Sequence, residues 1–204
     1  KGTKEGCREG DCGACTVLVG ELTGNYVHYK NINSCLLPLG DIDGKHLVSV
    51  EGLNIDGMNL FQQFLVNNGG TQCGFCTPGF VMSFAAYLLS ADTFDESGVK
   101  DYLTGNLCRC TGHYGIIHSA EEVINILNKK EVQSDRIKFL SENKLIPEYF
   151  NVVASKLKQI SRTKSVHAYD GVKQIISGGT DIYVQKGDTI SNNDIMLMSE
   201  MLRM

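Results

Sequence analysis

A chain of 204 residues with 42% hydrophobic composition can bury a core, and we expect it to form more than one small domain. Its formal net charge of −4 argues against nucleic acid or an anionic membrane as the main partner. The longest apolar stretch, from Phe80 to Leu89, is too short to span a membrane, and the first residues show no signal-peptide pattern. These features predict a cytoplasmic, reducing location.

The first stretch, to about residue 54, is rich in glycine and in residues that favour strands. Short strands are predicted at residues 16–19 and 46–50, with turns at Gly24–Asn25 and Asp43–Gly44. Only a cysteine-bearing loop precedes the first of these strands. We therefore expect a small sheet that is incomplete on its N-terminal side.

From about residue 55 to residue 130 the hydrophobic period changes from two to 3.6, which predicts four amphipathic helices. The second helix is predicted to begin with Thr77 as its N-cap and Pro78 at the first helical position. The short connections between the helices favour a four-helix bundle. The apolar stripes of the four helices include Leu60 and Phe64, Phe80 and Phe84, Val99 and Leu103, and Ile116, Val123 and Leu127.

Residues 131–172 are more polar and are predicted to form a linker that partly covers other domains. Part of this linker, at residues 137–140, has a helical pattern. Residues 173–181 then have the pattern of a strand that runs into a glycine turn.

Eight cysteines need an explanation, and the first four have a specific spacing. Cys7, Cys12 and Cys15 form C-x4-C-x2-C, and Cys35 follows further on. This is the plant-type [2Fe–2S] spacing, in which one loop wraps the cluster and a distant cysteine completes it. Such a loop needs glycine, because its backbone must turn sharply and its N–H groups must approach the sulfurs. Glycines at positions 6, 10 and 13 meet this need.

The second set of cysteines stands just before two predicted helices. Cys73 and Cys76 precede the helix near Pro78, and Cys108 and Cys110 precede the helix near residue 116. The partial positive charge of two helix N-termini would favour a negatively charged cluster bound by four thiolates. Four cysteines in two close pairs also suit a structural zinc ion, so this alternative stays open. Disulfides are disfavoured in a reducing location.

Three motifs resemble those of molybdenum hydroxylases of the xanthine dehydrogenase family. They lie at residues 2–17, 72–79 and 105–112. The resemblance implies an α+β fold, with an incomplete ferredoxin-like β-grasp [2Fe–2S] domain at 1–54 and a helical [2Fe–2S] domain at 55–130. It further implies that the helical-domain cluster lies nearer a molybdopterin cofactor on a partner chain, and that the plant-type cluster lies nearer FAD. Gln72 matches the glutamine that hydrogen-bonds the pterin; without this match, an ordinary helix-flanking amide is the plainer interpretation of this residue.

The C-terminal part of the chain resembles the loop that opens an FAD-binding domain, in which backbone N–H groups hold the pyrophosphate. The resemblance assigns residues 131–172 to a linker and 173–204 to the start of the FAD-binding domain. It also leads us to expect that the opening strands of the first domain and most of the flavin domain lie outside this sequence. The matching residues are Ile175, Ile176, Ser177, Gly178, Gly179, Thr180, Asp181 and Ile182.

The sequence therefore predicts the electron-transfer part of an oxidoreductase, with two [2Fe–2S] clusters and with FAD in the full-length protein. The expected partner is a molybdopterin-binding large subunit in a hetero-oligomer, with xanthine or hypoxanthine as substrate and NAD as final acceptor. We expect no catalytic base or nucleophile on this chain. Three alternatives remain: the same part of an aldehyde or other heterocycle oxidoreductase, a stand-alone [2Fe–2S] carrier, and a zinc-stabilised interaction module.

Overall fold

The computed structural model describes residues 2–130, 135–160, 174–190 and 195–198, and it is a mixed α+β structure. The mixed fold class predicted from the sequence is therefore confirmed. The described ranges leave out residues 131–134 and 161–172 of the predicted linker and residue 173 of the predicted strand. The strands are β1 (Thr16–Thr23), β2 (Tyr26–Asn33), β3 (His46–Val48), β4 (Gln174–Ile176) and β5 (Ile195–Leu197). The helices are α1 (Leu60–Asn67), α2 (Thr77–Ser90), α3 (Glu96–Leu103), α4 (Tyr114–Leu127), α5 (Arg136–Glu142), α6 (Val153–Gln159) and α7 (Thr180–Ile190).

The N-terminal sheet has the strand order β2-β1-β3, and both pairings are antiparallel. Strands β1 and β2 form a hairpin in which Thr23 pairs with Tyr26, and Gly24 adopts the positive φ of 61° that a two-residue turn requires. The turn at Gly24–Asn25 is confirmed, but the sequence analysis missed β2. Most of its side chains are half-buried or exposed, so the strand lacks a clean alternation of apolar and polar residues. The predicted strand at 46–50 ends at Val48, because a 3-10 helix begins at Val50.

All four helices predicted between residues 55 and 130 are present as α1 to α4. Helix α2 is buried along residues 79–88 and packs against α3 and against strands β1 and β2. Its N-cap is Cys76, so the prediction of Thr77 as the N-cap is wrong by one position. Thr77 is the first helical residue, and its hydroxyl lies 2.8 Å from the Thr71 hydroxyl.

Residues 135–160, which we call the strap, pack against both the sheet and α2 instead of bridging solvent. Helix α5 lies against α2, and α6 lies against β1 and β2. At one end of the strap, Arg136 Nη2 donates to the carbonyls of Ala91 and Asp92 at 2.9 and 3.1 Å. Five apolar side chains of the strap belong to the main core: Phe139, Leu140, Leu145, Ile146 and Phe150. The expectation of a partly helical segment at 137–140 is confirmed.

Phe150 is a buried aromatic contact between the strap and the sheet. It is 1% exposed, and its ring centroid lies 5.4 Å from that of Tyr29 and 5.5 Å from that of His46. We expect Phe150→Ala to destabilise the protein by about 3 kcal/mol, because it removes a buried ring and leaves a cavity. The urea midpoint of the cluster-loaded protein, followed by far-ultraviolet circular dichroism, measures this loss.

The neighbouring Tyr149 offers a matched control. It is 39% exposed, and its hydroxyl donates to the Gly52 carbonyl at 2.9 Å. Tyr149→Phe removes only that hydrogen bond, so we expect a loss of about 1 kcal/mol or less. Equal shifts of the midpoint in both variants would contradict the assignment of Phe150 to the core.

A second, smaller core lies in the C-terminal region. Strand β4, the following turn, α7 and the parallel strand β5 form a β-α-β unit. Ile176, Ile190 and Leu197 are buried together in this unit. Among the described residues, no helix combines the length and the apolar character needed to cross a lipid bilayer.

Candidate functional site

The four cysteines of the first set come together around the loop at residues 6–15. The thiol of Cys12 forms a hydrogen bond with that of Cys7, and the thiol of Cys35 forms one with that of Cys15. The Ser34 hydroxyl donates to the Cys15 carbonyl at 2.8 Å, which holds the segment of Cys35 against the loop. The four sulfurs predicted as one ligand set therefore lie together, arranged as two pairs.

Backbone N–H groups point at the sulfur of Cys7. Those of Glu9, Asp11 and Cys12 each donate to Cys7 Sγ at 3.4 Å. Slight burial works against ionisation of this thiol, but the three donors outweigh it and lower the pKa of Cys7 to about 7. The loop thus stabilises a thiolate at this position.

The same loop depends on an unusual backbone path. Arg8, Gly10 and Gly13 all have positive φ, at 63°, 74° and 69°. A Cβ atom on Gly6 would lie 2.9 Å from Cys12 Sγ, so a side chain at this position would occupy the space of the sulfur. The glycines expected from the sequence are therefore needed both for the turn and for the close approach to sulfur.

The second set also forms two pairs of sulfurs. Cys73 Sγ and Cys110 Sγ lie 3.5 Å apart, and the thiols of Cys76 and Cys108 form a hydrogen bond with each other. Cys73 and Cys110 are exposed, whereas Cys76 and Cys108 are half-buried. One pair thus lies at the protein surface, and the other lies between that surface and the core.

Burial and local hydrogen bonds separate the pKa values in this set. Burial raises the pKa of the Cys76 thiol to about 12, and the hydrogen bond with Cys108 adds to this shift. Burial also opposes ionisation of Cys108, but hydrogen bonds from the hydroxyl and N–H of Thr111 lower its pKa overall. Thr111 Oγ1 lies 3.1 Å from Cys108 Sγ, so Thr111 is a contact that sequence reasoning missed.

The N-termini of two helices adjoin the second set, as predicted. Cys76 is the N-cap of α2, and His113 is the N-cap of α4 with a positive φ of 68°. His113 Nε2 accepts the backbone N–H of Cys108 at 3.2 Å, and this bond fixes the start of α4 beside Cys108.

The two cysteine sets meet at a buried contact among Gly13, Gly79 and Asn106, which we call the seam. Asn106 Nδ2 donates to the Gly13 carbonyl at 3.0 Å, and a Cβ on Gly79 would lie 2.2 Å from the same oxygen. Beside the seam, the N–H of Leu107 donates to the carbonyl of Cys12 at 3.0 Å. Sequence reasoning gave Asn106 no role, because an asparagine next to a glycine is typical of an ordinary turn.

Gln72 is exposed and stands next to the exposed Cys73. Two large apolar side chains next to cysteines of this set are also exposed, with Phe75 beside Cys76 at 46% and Leu107 beside Cys108 at 55%. The second set therefore has an exposed amide and exposed apolar groups beside it in the chain.

The predicted flavin loop forms the turn between β4 and α7. Gly179 has a positive φ of 69°, and its carbonyl accepts the N–H of Tyr183 at 2.9 Å in the first turn of the helix. A shallow pocket of about 300 Å³ opens over this turn. Gly178 does not line this pocket, and α7 is kinked at Lys186. The pocket is lined by Gln174, Ile175, Ile176, Ser177, Gly179, Thr180, Asp181 and Ile182.

Within residues 2–130, 135–160, 174–190 and 195–198, no three His, Cys, Asp or Glu side chains converge as ligands of a single metal ion. The sulfurs of both sets lie in pairs instead.

Comparison with known proteins gives the same class of site. The family described as "[2Fe-2S] binding domain" matches residues 49–121, a range that contains all four cysteines of the second set. The chain is 46% identical over 123 residues to xanthine dehydrogenase from Emericella nidulans, covering 59% of this chain and 9% of that protein. It is 35% identical over 160 residues to aldehyde oxidase 3 from Mus musculus, covering 76% of this chain and 12% of that protein. The chain thus spans about a tenth of the length of these relatives.

Solved structures extend the comparison. Quinoline 2-oxidoreductase from Pseudomonas putida 86 matches with a TM-score of 0.52 and 32% identity, covering 65% of this chain and 78% of that chain. The aldehyde oxidoreductase from Desulfovibrio desulfuricans matches with a TM-score of 0.53 and 30% identity, covering 63% of this chain and 14% of that chain. Fold and site define an iron–sulfur protein of the [2Fe–2S] class. The chain belongs to the molybdenum hydroxylase family and corresponds to its iron–sulfur region.

Proposed function

We propose that this chain carries electrons from a molybdopterin centre on a partner chain, through two [2Fe–2S] clusters, to FAD and then to NAD. The observation that carries the proposal is the presence of two complete sets of four sulfurs, joined at the seam. The ligands would be Cys7, Cys12, Cys15 and Cys35 for the first cluster and Cys73, Cys76, Cys108 and Cys110 for the second.

The donor chemistry of both sets suits a [2Fe–2S] cluster. Each iron of such a cluster takes two protein ligands, and each set offers its sulfurs as two pairs. Burial raises the pKa of Cys35 to about 11 and that of Cys76 to about 12, so a bound metal would favour the thiolate form of these two cysteines. The zinc alternative fits less well, since a zinc ion needs four ligands around one point.

A bound [2Fe–2S] cluster accepts and releases one electron at a time. The residues around each set would hold the cluster rigidly and stabilise the negative charge that it gains on reduction. The three N–H groups that point at Cys7 Sγ stabilise the added negative charge, and the N-termini of α2 and α4 do so at the second set. The N–H of Leu107 donates to the Cys12 carbonyl, and Leu107 is covalently bonded to Cys108. One hydrogen bond and a few covalent bonds therefore connect the two sets.

The position of the C-terminal unit supports an exit through the first set. Helix α7 contacts the 3-10 helix Ser34–Leu36, which carries Cys35. The turn at residues 175–182 would hold the pyrophosphate of FAD through its backbone N–H groups. We accordingly assign residues 173–204 to the start of an FAD-binding domain.

The exposed pair of sulfurs supports an entry through the second set. Cys73 and Cys110 lie at the surface beside Gln72, where a large subunit could bring its pterin close. We propose Gln72 as the residue that hydrogen-bonds this pterin. The exposed Phe75 and Leu107 would be covered by the same subunit, in a hetero-oligomer.

The domain limits proposed from the sequence are 1–54 for a ferredoxin-like domain, 55–130 for a four-helix domain and 131–172 for the linker.

The proposed substrate is xanthine or hypoxanthine, supported by identities of 40–48% to xanthine dehydrogenases. An aldehyde or another heterocycle is the second candidate, because the similarity to an aldehyde oxidase covers more of this chain. Analysis of the products of the assembled enzyme with each substrate class separates the two.

The chain loaded with clusters should contain about four iron and four acid-labile sulfide, because two [2Fe–2S] clusters use all eight cysteines. Low-temperature paramagnetic resonance of the reduced protein should resolve two signals. Chemical analysis measures the iron and sulfide content, and the paramagnetic-resonance spectrum gives the number of clusters. Stoichiometric zinc, or one signal with half the iron, would refute two clusters.

The alternative of a stand-alone [2Fe–2S] carrier is tested by identifying the proteins that bind this chain. Affinity purification of the full-length protein from its own cells should bring down a subunit that contains molybdopterin. Purification of the cluster-loaded protein without such a subunit would favour the carrier.

A further inference from the structure

Asn106 is a buried polar residue in contact with both cysteine sets. It is 1% exposed and stands two positions before Cys108. Its Nδ2 donates to the Gly13 carbonyl at 3.0 Å and to Thr16 Oγ1 at 3.4 Å, while its Oδ1 accepts the hydroxyl of Ser83 at 2.6 Å. The amide of one loop is thus bonded to the other loop and to the core of α2.

The packing around Asn106 leaves little room for movement. A Cβ on Gly13 would lie 2.3 Å from Asn106 Nδ2, and one on Gly79 would lie 2.8 Å from the same atom. A second bond to the Gly13 carbonyl comes from Thr16 Oγ1 at 2.6 Å. A buried network in which each of these polar groups has a partner is rigid and defines one geometry.

We propose that Asn106 is a positioning residue that fixes the separation of the two cysteine sets and thereby the rate of electron transfer between the clusters they hold. This inference rests on the proposed function. Electron transfer through protein slows steeply as the donor and acceptor move apart. Asn106 binds neither iron nor sulfur, and it acts by holding Gly13, which lies between Cys12 and Cys15, against the segment that carries Cys108.

The test is Asn106→Leu in the full chain loaded with clusters. Leucine has nearly the same volume but none of the three hydrogen bonds, so the Gly13 carbonyl and the Ser83 hydroxyl lose a partner and the loops relax apart. Flash reduction, followed by the redistribution of the electron between the clusters, measures the rate. We expect a measurable fall in this rate, because electron transfer slows exponentially with the distance between donor and acceptor.

A pulsed paramagnetic-resonance distance between the two reduced clusters is the second readout. It should lengthen in Asn106→Leu while iron and sulfide stay at the parent's values. Ser119→Ala is the control for lost stability, because Ser119 is fully buried and its hydroxyl bonds to the Gly115 carbonyl and the Asn68 amide, away from the seam. This control should lower the urea midpoint and leave both rate and distance unchanged.

If Asn106→Leu does not retain its clusters, Thr16→Val decides, because it removes both the bond from Asn106 Nδ2 to Thr16 Oγ1 and the bond from Thr16 Oγ1 to the Gly13 carbonyl. A slower rate and a longer distance in that variant support the proposal. An unchanged rate and distance, in either variant with both clusters present, overturn it. A parent protein with only one cluster would instead refute the proposed function, and metal analysis of the parent shows this first.

Discussion

Replacing Cys108 by serine should abolish one of the two paramagnetic signals and lower the iron content from about four to about two per chain. Cys108 lies in the half-buried pair of the second set with Cys76. A serine hydroxyl is a much weaker ligand than a thiolate, so this cluster should be lost while the first set is untouched. Iron analysis and low-temperature paramagnetic resonance measure both effects.

In the enzyme assembled with its molybdopterin subunit, the same substitution should stop substrate from reducing either cluster, because electrons enter through the second set. Cys12→Ser should give the opposite pattern, with the second cluster still reduced by substrate and the flavin left oxidised. Thr111→Val is the control, since Thr111 contacts Cys108 Sγ at 3.1 Å without being a proposed ligand. It should keep the full iron content. Identical reduction patterns in the Cys108 and Cys12 variants would refute the proposed order.

Adding one methyl group at Gly79 should destabilise the protein by about 3 kcal/mol and loosen both cysteine loops. A Cβ at this position would lie 2.2 Å from the Gly13 carbonyl oxygen and 3.1 Å from its carbon. These are backbone atoms, so relief requires movement of the whole loop instead of one side chain. The urea midpoint and the iron content of Gly79→Ala measure the effect.

Gly105→Ala is the matched control for this substitution. Gly105 also adjoins the seam, but nothing lies within 4 Å of a Cβ built on it, and its φ is not in the left-handed region. Alanine there should change stability by less than about 1 kcal/mol. A loss in Gly105→Ala as large as that in Gly79→Ala would show that the close contact with the Gly13 carbonyl is not the cause.

Much of this architecture is encoded locally and was predicted from the sequence. Helices α1, α3 and α4 follow from the 3.6-residue period, since each buries one apolar stripe, whereas α2 is buried all round along residues 79–88. The first group of four cysteines was predicted as a ligand set from its spacing and neighbouring glycines, and the second from its two close pairs before predicted helices. The pairing of sulfurs within each group was not predicted, since it depends on how the two loops of a set meet.

The features that were missed depend on contacts between distant residues. Strand β2 is defined by its pairing with β1 rather than by its own pattern, and the strap appeared polar although Phe150 is buried. Asn106 donates to a carbonyl 93 positions earlier in the chain. Local propensity carries no information about such a partner, which only the assembled fold supplies.

The strap has a consequence for how genes of this family can be divided. Residues 135–160 follow the second cysteine set in sequence, yet they lie on the first sheet and cap the end of α2 through Arg136. A gene break near residue 130 would remove Phe150 from the ring of Tyr29 and Arg136 from the carbonyl of Ala91 in the product that carries the clusters. A lineage that encodes the iron–sulfur and flavin modules as separate polypeptides would keep its stability only if the break fell beyond the strap.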